Sequence, residues 1–68
     1  MKKITITFYQ QLGNKPSITD KKVHSVDLLV ANLGKHVHQR CFNICDEIQR
    51  DLKTNHVYYC FTDICEAQ

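Results

Sequence analysis

The chain has 68 residues, of which 43% are hydrophobic and 24% charged, and its formal net charge is +2. That composition excludes an intrinsically disordered segment, and no apolar run is long enough to span a bilayer. A chain this short is one domain with a small core, so help from a disulfide, a metal or a second subunit is expected.

The charge is too small to imply a nucleic-acid partner, but it is unevenly spread. Residues 1–40 carry a net +5 and residues 41–68 a net −3. Such a dipole can steer association without bearing on the fold. Met1-Lys2-Lys3 imitates the charged start of a secretory leader, but the apolar stretch Ile4–Phe8 is short and rich in threonine. The chain is therefore expected to be mature and cytoplasmic, with its cysteines reduced.

Lys3 to Tyr9 alternates, with Ile4, Ile6 and Phe8 on one side and Thr5, Thr7 and Tyr9 on the other. This period of two predicts a half-buried strand. Leu12-Gly13-Asn14-Lys15-Pro16-Ser17 breaks it with turn-forming residues. Ser17 to Val23 is expected to return as a second strand. There Asp20, Lys21 and Lys22 suit an exposed edge.

From Ser25 to Lys53 the residues Val26, Leu29, Val30, Leu33, Val37, Cys41, Ile44, Ile48 and Leu52 recur at helical spacing. Ser25 is a fitting N-cap, Asp27 complements the first turn, and Asn55 is suited to a left-handed cap at the far end. Gly34 interrupts the stripe, and an unbroken helix of this length would run to about 40 Å. Either the helix breaks near Gly34, with residues 26–33 forming a separate turn or continuing the second strand, or it overhangs the sheet. The overhang would leave Val26, Leu29, Val30 and Leu33 bare and predicts a homodimer that covers them. His56 to Thr62 reads as the last strand, with Val57, Tyr59 and Phe61 facing the helix and Tyr58 and Cys60 facing away. The expected fold is α+β: a three-stranded antiparallel sheet in β-β-α-β order, arranged 2-1-3, with the helix on one face.

Candidate chemistry is sparse. Cys41, Cys45, Cys60 and Cys65 supply the four thiolates of a zinc site, but their spacings are not those of paired ligands on tight turns. Buried free thiols are the expected state, with a zinc-stabilised module and a disulfide-bonded form as the alternatives. Cys41 sits three residues from His38, yet a core thiol is inert and no glycine-rich oxyanion or phosphate loop accompanies the pair. No enzyme is expected. His36 and His38 flank Val37 and splay to the two sides of the helix face.

Thr5, Thr7, Tyr9 and Tyr58 lie on the sheet face that the helix leaves open, and tyrosine is favoured at interfaces. With Lys15, Lys21 and Lys22 of the hairpin they form the expected partner-binding set. The expected function is binding of a host protein or ribonucleoprotein. The size and layout are those of small phage or mobile-element inhibitors, of which an anti-CRISPR-like protein is one form. The further alternative is a nucleic-acid binder that uses the hairpin lysines.

Overall fold

A computed structural model describes residues 1–54 and 56–66. Four elements follow in order: β1 (Lys2–Gln10), β2 (Lys21–Val30), α1 (Lys35–Leu52) and β3 (Val57–Glu66). The sheet is antiparallel in the order β2-β1-β3, with α1 packed on one face. This is the α+β, β-β-α-β fold expected from the sequence. No helix among the described residues is long and apolar enough to cross a membrane.

The central strand supplies the centre of the core. Ile4, Ile6 and Phe8 of β1 are fully buried against Val37, Cys41 and Cys45 of α1. Ile44, Ile48, Val57, Tyr59 and Phe61 pack around them, half in solvent. From Val37 onward the helical spacing read from the sequence faces this core.

Residues 25–33 are not helical. The second strand runs from Lys21 to Val30, so Ser25 and Asp27 are strand residues rather than cap and first turn. The physical reason is that Val26, Leu28 and Val30 also alternate with period two. Paired opposite Ile6, Ile4 and Lys2, they place their apolar side on the core face. Ser17 to Asp20 forms a turn instead of strand, closed by the Asp20 N–H donating to the Ser17 carbonyl at 3.2 Å.

Gly34, in extended backbone, caps the start of α1 without a side-chain bond. A Cβ there would meet the His36 ring and the Asn32 side chain at 3.0–3.1 Å. At the other end Lys53 takes the left-handed conformation (φ 55°) and donates its N–H to the Gln49 carbonyl. The expected cap at Asn55 lies outside the described residues.

Because α1 starts at Lys35, it does not overhang the sheet, and the argument for a dimer built on that overhang is removed. Val26 and Val30 pack beside the core, while Leu29 and Leu33 are exposed.

Two bulges set which side chains face the helix. Between Phe8 and Tyr9 the register to β2 slips, so His24 opposes Phe8 and Lys22 opposes Tyr9, with Val23 the extra residue. Between Thr5 and Ile6 the register to β3 slips likewise around Thr62. Unbroken alternation after Phe61 would aim Asp63 at the core. The bulge places Ile64 opposite Ile4 and Asp63 opposite Thr5, so the acid goes to the open face. It also extends β3 to Glu66, four residues beyond the strand end expected from alternation.

Candidate functional site

The open face of the sheet is built on Thr5, Thr7 and Tyr9 of β1. Each is flanked by a β2 residue (Asp27, Ser25, Lys22) and a β3 residue (Asp63, Cys60, Tyr58). Much of its polar chemistry is turned inward. The Thr5 hydroxyl donates to Asp27 Oδ1 at 2.7 Å. Thr7 is only 5% exposed, and its hydroxyl is 2.9 Å from that of Thr62. Thr7 is thus covered by its own sheet and is withdrawn from the expected contact set. Lys3 approaches Asp27 at 3.9 Å, both side chains about half exposed, a pair worth little in solvent.

Tyr9 and Tyr58 stack with ring centroids 5.5 Å apart. The Tyr58 hydroxyl donates to Asp20 Oδ2. Asp20, 9% exposed, also accepts the Leu12 N–H at 3.1 Å and the Ser17 N–H at 2.9 Å. One carboxylate therefore gathers both arms of the loop between β1 and β2 and ties them to β3. The Tyr58 hydroxyl and then the Ser17 N–H hold the Asp20 carboxyl below its ordinary range, against the opposing effect of burial. The same bond to Asp20 is the main reason the Tyr58 phenol is pushed up to about 12.

This brace displays the loop. Ile18, in the turn that leads into β2, is 103% exposed, and Leu12 is 61% exposed. Lys15 stands exposed between them in sequence. Lys21 and Lys22 follow at the start of β2, on one wall of an open groove of about 470 Å³ between β2 and α1. Glu47 and Asp51 form the opposite wall, and Val23, Ile44, Ile48 and Leu52 line the floor. Lys21, on the helix side of β2, therefore faces an acidic wall of the same molecule, which weakens the basic patch that a nucleic acid would need.

A second cluster lies on the other side, over β3. His38 Nδ1 is 2.8 Å from the Tyr59 hydroxyl, and its ring packs on Phe61 at 5.5 Å. Phe42 meets Tyr59 edge-on at 5.6 Å. Burial raises the Tyr59 phenol. The splayed histidine expected on this side is thus engaged with the sheet.

The sheet keeps the four cysteines apart. Cys41 and Cys45 are buried beneath α1, whereas Cys60 and Cys65 are exposed and oppose Thr7 and Lys3 on the open face. The bulge at Thr62 is what puts both β3 thiols on one face. Among the described residues no group of three or more His, Cys, Asp or Glu is placed to hold a metal ion. The zinc-module alternative therefore has no assembled ligand set in this fold. Burial pushes the Cys45 thiol up to about 11 and raises Cys41 as well, the reverse of an activated nucleophile.

Sequence reasoning placed Asp20 on an exposed edge and missed its role. The available signal was Ser17-x-x-Asp20 in a turn-rich stretch, where an aspartate bonds nearby backbone N–H groups. The bond to Tyr58, 38 residues on, leaves no local trace. The chain matches no protein-family model, no curated protein and no solved structure.

Proposed function

We propose that this is a small non-enzymatic binding protein, and that the braced loop between β1 and β2 makes the contact. The observation that carries the reading is a fully exposed isoleucine held on a loop that a buried aspartate fixes from both arms. An apolar side chain displayed on an ordered loop loses little conformational entropy when it is buried by a partner. Lys15 beside it, Lys21 and Lys22 below it, and the exposed part of Tyr9 complete a mixed apolar and basic surface. Tyr58 acts through Asp20, as a positioning residue. Thr5 lies behind it, occupied with Asp27.

The partner we propose is a host protein or ribonucleoprotein. The biological form is obstruction of that partner, as small phage and mobile-element inhibitors of the anti-CRISPR kind act. Size and layout support this form by analogy alone. The compartment we propose is the host cytoplasm, where four free thiols persist.

The test is affinity capture from host extract with the wild type, Ile18→Asp and Leu29→Asp side by side. Ile18 and Leu29 are both exposed, so neither change disturbs the core. The reading predicts a partner retained by the wild type and by Leu29→Asp and lost by Ile18→Asp. A partner retained equally by all three would overturn the loop as the contact.

A further inference from the structure

We infer that two copies of this chain pair antiparallel along β2, forming a continuous six-stranded sheet with both helices on one face. The inference is independent of what the loop binds.

Both β2 and β3 are edge strands of ten residues, and an unpaired edge is a template for another strand. The two edges are not equivalent. β3 is interrupted in mid-strand by the bulge at Thr62, carries Asp63 and Glu66 beyond it, and has α1 packed over it. Pairing β3 with itself would have to run across that irregular ladder. The β2 bulge sits at Val23, near its start, and leaves His24 to Val30 in regular register. On the helix side of that stretch Val26, Leu28 and Val30 remain half-buried, because α1 leans towards β3. A second β2 alongside would cover Val26 and Leu28 from the open side.

Charge selects the register. Lys22 and Asp27 lie on the open face, on either side of Ser25. With Ser25 on the two-fold axis, the bulge at Val23 lets Lys22 oppose the partner subunit's Asp27, and symmetry repeats the pair. His24 then opposes the partner subunit's Val26 on the helix side. A register centred on Asp27 would instead set two carboxylates face to face.

The exposed area is of the right size. The mass–surface relation for folded monomers gives about 4,450 Å² for a chain of 8.0 kDa. This chain exposes 5043 Å², an excess of about 600 Å². Two copies burying that excess would remove about 1,200 Å² in all, the lower end of stable protein interfaces.

The experiment is sedimentation velocity of the reduced full chain across micromolar concentrations, on the wild type, Lys22→Asp, Asp27→Lys and the double exchange. The wild type is expected to be a reversible dimer. Each single reversal should raise the dimer dissociation constant at least about tenfold, and the double exchange should return it to within about threefold of wild type. Lys22→Asp leaves the bonds of Asp27 within its own chain intact, so it reads the pairing even where Asp27→Lys disturbs β1. A wild type that stays monomeric, or a dimer indifferent to Lys22→Asp, would overturn the inference.

Discussion

On the β3 side of the sheet, α1 lays Val37, Cys41 and Cys45 over Ile4, Ile6 and Phe8, with Tyr59 and Phe61 packed beside them. At the hairpin end, next to β2, the loop is gathered by a single carboxylate that accepts two backbone N–H groups and a phenol. The first region is held by removing apolar surface from water, which is indifferent to mild changes of pH. The second is held by hydrogen bonds to a charge, which are not. The contrast teaches that one chain of 68 residues uses two kinds of cohesion, and that they can be broken separately.

The largest effect is expected in the first region. Phe8→Ala should cost about 3–5 kcal/mol, as much as a domain this small has to spare, and urea denaturation should find it largely unfolded. Asp20→Ala should come next, lowering the denaturation midpoint and leaving the helix content seen by circular dichroism unchanged. Val26→Ala on half-covered β2 should cost about 1 kcal/mol, because much of its side chain is already in water. Leu29→Ala, on the open face, should stay within about 0.5 kcal/mol of wild type. A reversal of Phe8 and Leu29 in that order would contradict the placement of the core.

The pH profile sharpens the same contrast. The Asp20 carboxyl is lowered from 3.8, so its contribution is complete above that value and is lost as pH falls below it. Tyr58 is raised from 10.0 to about 12, and its contribution is complete below pH 10.0 and is lost as pH rises through 12. Cys45, raised from 9.0 to about 11, adds to the alkaline loss from beneath the helix. In thermal melts across pH, Tyr58→Phe should lower stability near neutrality and flatten the profile above pH 10.0. Tyr9→Phe, whose ring stacks on Tyr58, should alter that limb much less, since Tyr9 is the smallest of the causes that raise the Tyr58 phenol.

The sequence makes the strong periodicities legible. Ile4, Ile6 and Phe8 announce the central strand, Val37 to Ile48 the helix face, and Val57, Tyr59 and Phe61 the third strand, and together they yield the sheet order. Residues 26–33 stay open between helix and strand because Val26, Val30 and Leu33 satisfy helical spacing while Val26, Leu28 and Val30 satisfy strand spacing, and the structure takes the reading in which the helix breaks near Gly34 and the second strand continues to Val30. Hydrogen bonding to β1 decides between them, and that is a tertiary fact. The bulges at Val23 and Thr62 are likewise invisible, since a bulge is a relation between two strands. Of the expected contact residues, Lys15, Lys21, Lys22 and Tyr9 have side-chain surface in solvent, whereas Thr7 is spent on Thr62. Ile18 falls inside the strand expected over Ser17 to Val23, and its display on a turn instead leaves no periodic signal.

The most direct test of the polar brace is amide hydrogen exchange at single residues in the wild type and Asp20→Ala. The account predicts that the Leu12 and Ser17 amides are protected in the wild type and lose that protection in the variant, while the amides of β1 and α1 exchange as before. Leu12 and Ser17 amides that exchange freely in the wild type would contradict it.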